Sequence, residues 1–501
     1  MACFLGIDNG GTMSKAAIYD ETGRELAVCS RKVEVLHPER GFNEVDMDAL
    51  WSANVQAIRT VLEKSKIDPK TIRSIAVTGH GNGMYLVDAD GRSLLGIRST
   101  DMRGREYVER WTEARTLDKI RCKTMQATWP AQPNALLRWL RDYQPDLASR
   151  VRWMFMIKDF VRFRLTGIAQ LEMTDASATS LVNNLTGEYD PEILEAWGVS
   201  EFRDIFPPIV GSCESCGSVT PEAAEATGLA PGTPVAGGMF DIDAAGLAVG
   251  MTDETSLCLI AGTWGNNQYI AREPVVSEDI FMTTRYCIPG YYLMLEGSAT
   301  SASNLEWWVS EFFPKTEVHT NENVYETVDR LVAETKPEDC DLIFLPYLYA
   351  SPVDMDAKGT LYGLEGWQTR GHILRAVFEG IIFGHYWHID RLLKFRTMPN
   401  PILLAGGGAK SEVWAQMYAD IFQTVVKIPD AAELGTLGAA IAAAVAAGEY
   451  PDCASACARM VHFTRTYQPD PAKAAVYART RAKFQKLLEI FAPHWKELAD
   501  K

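Results

Sequence analysis

The sequence predicts an α/β protein of two domains. At 501 residues the chain is too long for one core. A strand with a glycine-rich hairpin, Phe4-Leu-Gly-Ile-Asp8-Asn-Gly-Gly-Thr12, recurs half a chain later as Ser256-Leu-Cys-Leu-Ile260-Ala-Gly-Thr-Trp-Gly265. Such repetition predicts two domains with similar cores. Around both copies, short apolar runs alternate with helical patterns, which is the signature of α/β architecture.

Taken in order, Cys3 to Ile7 reads as a strand, residues 8–12 as a tight turn and Lys15 to Tyr19 as the return strand. Tyr19-Asp-Glu-Thr-Gly-Arg-Glu25 is a second turn and Leu26 to Ser30 a third strand, so the chain opens as an antiparallel meander. Leu50, Trp51, Val55, Ile58, Val61 and Leu62 fall at helical spacing within residues 46–65. Ser74 to Thr78 is a buried strand running into His80-Gly-Asn-Gly83, and Met84 to Asp88 turns back through Asp88-Ala-Asp-Gly91. Residues 100–230 alternate short helices and loops, among them a helix from Lys158 stopped by Gly167. Val235-Ala-Gly-Gly-Met-Phe-Asp241 is a strand end, a Gly-Gly turn and a lone Asp that opens a small-residue helix.

The second half adds a strand at Leu342 to Leu345 and a long helix that buries Ile373, Leu374, Val377, Phe378, Ile381 and Ile382. A strand from Pro401 to Ala405 ends in Gly406-Gly-Gly408, and a helix follows from Ser411. The Ala-rich helix from Gly435 is stopped by Gly448, and residues 450–501 are polar and end in a helix. The expected divisions are 1–250, 251–450 and a helical extension over 451–501. No low-complexity linker separates them, so a shared interface with the ligand site in its cleft is expected.

Composition excludes several classes. Net charge is −16 and no basic stripe is present, which argues against a nucleic-acid partner. Asp8 interrupts any signal-peptide core, and the longest apolar run, Ala439 to Ala447, is too short to span a bilayer. A cytoplasmic protein without a membrane partner is expected. The ten cysteines are scattered as in a protein of reduced thiols. Cys213 and Cys216 are close, but no second pair completes a zinc site. His385 and His388 lie three apart on an apolar helix with no third ligand nearby, and read as core residues.

Glycine-rich turns at 8–12, 261–265 and 406–409 each follow a strand. None has the P-loop spacing or the Gly-x-Gly-x-x-Gly pattern, so a nucleotide would be held by hairpin backbones. The first turn carries Asp8 and Lys15, suited to a metal and a phosphate. The second carries Thr263 but has Ala261 where the first has Asp8. Asp241 has two readings on its own: the N-cap of its helix, or a carboxylate held free on a rigid element.

Together these stretches resemble the FGGY family of carbohydrate kinases. The likeness runs from about residue 4 to residue 448 and rests on six further stretches besides Gly6-Ile-Asp-Asn-Gly-Gly-Thr-Met-Ser-Lys15. They are Val235 to Asp241, Ala261 to Gly265, Ser301-Ala-Ser-Asn-Leu-Glu-Trp307, Phe344-Leu-Pro-Tyr-Leu348, Leu404 to Ser411 and Glu433-Leu-Gly-Thr-Leu-Gly-Ala-Ala440. The resemblance implies two actin-like (ribonuclease-H-like) domains with an interdomain catalytic cleft. It implies ATP and Mg²⁺ as cofactors, a small sugar as the other substrate, and a homodimer as one assembly. Within the family the likeness is greatest to L-xylulose kinases, through Trp129, Leu136-Leu-Arg-Trp139, Lys158-Asp159 and Met239-Phe-Asp241. The first substrate loop departs from D-xylulose kinases: Asn82 stands where they carry His. The usual Trp-Asn-Asp is Ser99-Thr-Asp101 here.

The resemblance also implies roles. Asp241 becomes the general base, with Asp243 as the alternative carboxylate. Asp8 holds Mg²⁺ through water. Gly10, Gly11, Thr12, Lys15, Gly262 and Thr263 contact phosphates. Gly407, Gly408 and Glu412 pack against or bond the adenosine, and Ala302 also belongs to the cofactor site. Asn82, Asp101 and Trp129 contact the sugar, alongside Asp241. The expected reaction is transfer of the γ-phosphoryl group of ATP to a terminal hydroxyl of a ketopentose, xylulose of the L type. The alternatives are another ketose or a polyol (L-ribulose, erythritol, glycerol), and a non-catalytic actin-like ATP-binding regulator.

Overall fold

The computed structural model describes residues 2–298, 300–313 and 323–499. The chain gathers into two compact units. The first is Met1–Thr252 with Ile270–Met294 and Ala431–His462; the second is Asp253–Tyr269 with Leu295–Asp430 and Phe463–Lys501. Both units cut across the linear ranges 1–250, 251–450 and 451–501.

The sheet of the first unit has the order Ser215–Ser218, Pro234–Ala236, Ile72–Gly79, Cys3–Asn9, Met13–Asp20, Glu25–Lys32. The three strands nearest the N-terminus form the expected antiparallel meander. Ile72–Gly79 runs parallel to Cys3–Asn9, and Pro234–Ala236 and Met239–Phe240 run parallel to Ile72–Gly79. Side chains alternate across the sheet. Leu5 and Ile7 enter a core with Leu50, Trp51, Ile58 and Val61 of the Met47–Ser65 helix. That helix is capped by Asp46, whose carboxylate accepts from the Asp48 and Ala49 N–H groups.

Gly6 and Asp8 face the other way, toward the Leu434–Ala446 helix. A Cβ on Gly6 would lie 1.9 Å from the Thr436 carbonyl oxygen, and one on Gly435 would lie 2.5 Å from Asp8 Oδ2. The absent side chains let the helix backbone touch the strand. Thr436, Leu437 and the run Gly438 to Ala444 are all buried. This helix comes late in the sequence, yet it packs on the first sheet.

The second unit repeats the plan. Leu257–Ala261 pairs antiparallel with Gly265–Ala271 and parallel with Ile402–Ala405; Val426–Pro429 and then the antiparallel Phe463–Tyr467 extend the sheet. The Arg370–Leu392 helix buries Leu374, Val377, Phe378, Ile381 and Ile382. His385 bridges Asn267 Oδ1 and Ser301 Oγ, each at 2.9 Å, and His388 Nδ1 lies 2.9 Å from Glu296 Oε2. Both histidines are thus hydrogen-bonded core residues. Among the described residues no group of three or more His, Cys, Asp or Glu side chains is arranged to hold a metal. No described helix is long and apolar enough to cross a membrane.

Candidate active site

In the first unit the parallel register sets Asn9, Gly79 and Phe240 side by side. The carboxyl ends of three strands therefore deliver Asp8, the His80–Gly83 loop and Asp241 to one edge, where ligands of open α/β sheets bind. Gly81 lies against the Phe240 ring, since a Cβ there would meet ring carbons at 2.4 Å. Asn82 has φ 62°, in the left-handed region that Asn tolerates, and its buried Oδ1 has no hydrogen-bond partner in the protein. Gly83 N–H donates to Ala131 O at 2.9 Å, tying this loop to the one bearing Trp129. The half-buried Trp129 ring packs on Phe281 with centroids 5.2 Å apart.

Asp241 is not an N-cap. Phe240 occupies that position in β conformation, and Asp241 is the first residue of the Asp241–Ala248 helix. Its half-buried side chain sits in a crowded acidic neighbourhood. Desolvation, then the Asp8 and Asp175 carboxylates, push its carboxyl well above the usual range. Asp243 is fully buried; its Oδ1 accepts from Cys287 N–H at 3.0 Å, and burial raises its carboxyl well above the usual range too.

Asp8 faces Lys15 across the first hairpin. Lys15 Nζ is 2.6 Å from Glu433 Oε2, so its charge is already engaged inside this unit. Burial raises the Asp8 carboxyl to about 6, with Lys15 pulling it down and Glu433 pushing it up. Asp8 Oδ1 is buried without a hydrogen-bond partner. At the hairpin tip a Cβ on Gly11 would meet nothing within 4 Å, and one on Gly10 only Met13 O at 3.7 Å. Gly11 and Thr12 are exposed. Internal packing does not require these glycines, but a backbone that must approach a ligand does.

Asp101 is spent inside the protein. Its oxygens take Arg103 N–H at 2.8 Å, Arg103 Nε at 2.9 Å, Arg103 Nη2 at 2.9 Å and Asn43 N–H at 2.7 Å. The structure therefore gives it a clasp rather than a free carboxylate.

Several further residues gather around the strand ends; of these the sequence singles out only the Lys158-Asp159 pair, and gives it no role. Phe240 N–H donates to Thr174 Oγ1 at 2.8 Å, and that hydroxyl donates to Glu172 Oε2 at 2.7 Å. Fully buried Lys158 lies 3.0 Å from Asp159 Oδ2 and 3.2 Å from both Glu172 Oε2 and Asp175 Oδ2. Burial pushes Asp175 up to about 8 despite Lys158. Arg98 is buried; its Nη2 donates to Gly10 O at 3.3 Å, and its Nη1 has no partner in the protein. His80, buried beside it, is pushed down to about 4 by desolvation and by the Arg98 charge. Its Nε2 lies 3.1 Å from Tyr85 Oη.

In the second unit the parallel pair Leu257–Ala261 and Ile402–Ala405 brings Gly262 and Gly407 to one sheet end. Ala302 N–H donates to Gly262 O at 2.9 Å, and Ser303 Oγ to Thr263 O at 3.2 Å. A Cβ on Gly262 would meet nothing closer than 3.5 Å, and Thr263 is exposed. A cavity of about 460 Å³ opens beside this turn, lined by Ala302, Leu305, Tyr325, Phe378, Gly407, Ser411 and Trp414 among others. Gly408 packs tightly beneath it, with a Cβ there only 3.0 Å from the Ala261 Cβ. Glu412 departs from expectation. Ser411 caps the Glu412–Phe422 helix by accepting from Trp414 N–H, and Glu412 does not line this cavity. Its side chain is 77% exposed and lies 3.6 Å from Arg465.

Residues 3–248 match the model of the FGGY family of carbohydrate kinases, N-terminal domain, and residues 257–447 that of its C-terminal domain. The L-xylulose/3-keto-L-gulonate kinase of Escherichia coli K12 is 34% identical over 97% of this chain and 96% of its own. A probable L-xylulose kinase of Pasteurella multocida is likewise 34% identical, over 97% of this chain and 98% of its own. In fold, the ligand-bound xylulose kinase of Lactobacillus acidophilus superposes with a TM-score of 0.90 at 24% identity, covering 99% of this chain and all of the other.

Proposed function

The chain belongs to the FGGY family of carbohydrate kinases and is a sugar kinase; from that premise we propose that it phosphorylates a terminal hydroxyl of L-xylulose or a closely related ketopentose, using ATP. The observation that carries the reading is Asp241, the first residue of its helix at the strand-end edge, close enough to Asp8 to feel its charge and beside the loop that bears the unpartnered Asn82 Oδ1. The names of the two L-xylulose kinase relatives support the acceptor.

In this reading Asn82 and Trp129 orient the sugar, and Asp241 accepts the proton of the attacking hydroxyl. The transition state of phosphoryl transfer is loose, so the proton moves late and positioning matters more than basicity. The raised carboxyl of Asp241 makes it a better acceptor than an exposed Asp once it is ionised. Backbone N–H groups at Gly11 and Thr12 and at Thr263 hold the phosphates; those of Gly10 and Gly262 donate instead to Met13 O at 3.0 Å and Trp264 O at 3.2 Å, so these two glycines shape the turns rather than supply donors. Ala302, Gly407 and Gly408 form the wall against which the nucleoside lies. Lys15 keeps two N–H donors for a phosphate while it contacts Glu433, whose carboxylate offsets part of its charge. The donor chemistry of Asp8 fits Mg²⁺ held through water: a carboxylate with a buried oxygen that lacks a protein partner. When bound, the ion neutralises charge on the phosphates.

Arg98 favours a second reading, an acceptor bearing a carboxylate. Its Nη1 is buried without a partner beside the 80–83 loop, and the name of the E. coli relative includes the keto acid 3-keto-L-gulonate. One panel separates the two: ADP release with D- and L-xylulose, L-ribulose, erythritol, glycerol and 3-keto-L-gulonate. L-Xylulose is expected to give the highest kcat/KM. A preference for 3-keto-L-gulonate selects the second reading, and a preference for glycerol or erythritol overturns both.

A further inference from the structure

Cys213 and Cys453 are far apart in sequence, yet their sulfur atoms lie 3.4 Å apart. Cys213 is half-buried on the turn Gly211-Ser-Cys-Glu214, the more accessible of the two. Cys453 is buried and is the first residue of the Cys453–Met460 helix. Both elements bear on the catalytic segment. Ser212 O accepts from Gly238 N–H at 2.9 Å, and Glu214 O accepts from Gly237 N–H at 3.0 Å. A Cβ on Gly237 would lie 2.2 Å from Gly211 O, so the turn and the Gly-Gly corner before Asp241 touch directly. On the other side, Cys457 Sγ donates to Leu247 O at 3.5 Å, which ties the Cys453–Met460 helix to the helix that Asp241 begins.

We propose that Cys213 and Cys453 are a modification site: a peroxide-oxidised, reversible disulfide that switches the kinase off by displacing the Gly237–Asp241 segment. In the first step an oxygen of the peroxide passes to Cys213 Sγ as the O–O bond breaks, giving a sulfenic acid and, from hydrogen peroxide, water. The Cys453 sulfur then attacks the Cys213 sulfur; the S–O bond breaks and a second water leaves with the Cys453 proton. Two thiols lose two electrons and one peroxide becomes two waters. A disulfide holds its sulfurs at about 2.05 Å, so sulfurs now 3.4 Å apart must close by about 1.4 Å, and the share of that closure not taken up by side-chain rotation draws the turn toward the helix. A displacement of about 1 Å next to a reacting group costs on the order of 100-fold in rate. The thiol of Cys213 is held well above its ordinary pKa, first by its hydrogen bond to Cys453 and then by burial. Oxidation is therefore slow at neutral pH and quickens as pH rises.

The test uses the purified full-length chain treated with hydrogen peroxide, then alkylated and digested for peptide mass mapping, with turnover followed in parallel. A Cys213–Cys453 cross-linked peptide is expected, with kcat reduced at least tenfold and restored by dithiothreitol. Cys453→Ser should match the wild type before treatment and lose the dithiothreitol-reversible inactivation; if it does not fold, Cys213→Ser serves instead. The proposal is overturned by sulfinic acid at Cys213 without the cross-link, by pairing with another cysteine, or by a cross-linked protein of undiminished turnover. The peptide readout needs no acceptor, so its failure is distinct from an error in the choice of sugar.

Discussion

The Thr174 hydroxyl sits between the backbone of Phe240 and the carboxylate of Glu172, accepting from one at 2.8 Å and donating to the other at 2.7 Å. It fixes the residue that immediately precedes Asp241. Thr174→Val keeps the shape and removes the hydroxyl, leaving a buried N–H unpaired, a loss of about 1–3 kcal/mol. We expect kcat to fall about 10- to 100-fold with the KM for ATP unchanged, and Thr174→Ser to retain most of the activity. Steady-state kinetics check this. A Val variant with wild-type kcat, or a Ser variant as impaired as Val, would show that Thr174 does not position Asp241.

The Asp8 carboxyl predicts a pH-dependent stability. Its folded-state pKa is raised from 3.8 to about 6, chiefly by burial. Between those values the folded chain holds a proton that the unfolded chain has released. Stability therefore falls as pH rises through this window and stays lower above it. Asp8→Asn removes the buried charge. Its melting temperature should exceed that of the wild type at pH 7.5, with the gap closing toward pH 4. Thermal melts across that range check it; a variant less stable than wild type at pH 7.5 would mean that the Lys15 attraction outweighs desolvation.

The clasp of Asp101 around Arg103 predicts a stability effect rather than a binding effect. The Arg103 guanidinium also reaches Glu44 Oε1 at 2.7 Å and lies 4.0 Å above the Phe42 ring. Asp101→Ala strips this buried cation of its main partner and should cost about 3 kcal/mol. The double replacement Asp101→Leu with Arg103→Met should recover part of that loss. Urea unfolding measures both, and the sugar KM of the double variant should stay within about threefold of wild type. A large KM change there would return Asp101 to the sugar site.

Local signals were legible in the sequence and long-range pairings were not. The Met47–Ser65 helix, both glycine-rich hairpins and the stops at Gly167 and Gly448 follow from apolar spacing and from glycines with φ of 70° and 74°. Phe463–Tyr467 is not legible as a strand in so polar a stretch, because it lies at the end of its sheet with its side chains exposed or half-buried and Arg465 between its two aromatics, so no apolar face marks it. The Leu434–Ala446 helix is legible as a helix, but its Ala-rich surface, with Thr436 as its one polar side chain, says only that it is buried, not on which sheet. In the site, Asp241 was visible through its Gly-Gly turn. Thr174, Arg98 and Cys453 stand in unremarkable stretches and acquire meaning only from partners brought in by folding. Asp101 gave no sign that the arginine two residues on would occupy both of its oxygens.

The two carboxylates of the Asp241–Ala248 helix can be separated by isosteric replacement. Asp243 is fully buried, one oxygen is satisfied by Cys287 N–H, and burial favours its neutral form. Asn reproduces that neutral acceptor, so Asp243→Asn should keep turnover within a few-fold and fold normally. Asp241 is also raised by burial, with Asp8 and Asp175 adding repulsion, so removing its charge relieves strain in the fold. Asp241→Asn should therefore lose on the order of 10²–10⁴-fold in kcat while melting no lower than the wild type, the combination expected of a residue kept for activity at the expense of stability. Nucleotide binding, followed by titration calorimetry with ATP, should persist. Full turnover in Asp241→Asn, or loss of activity in Asp243→Asn with an unchanged melting temperature, would transfer the base to Asp243.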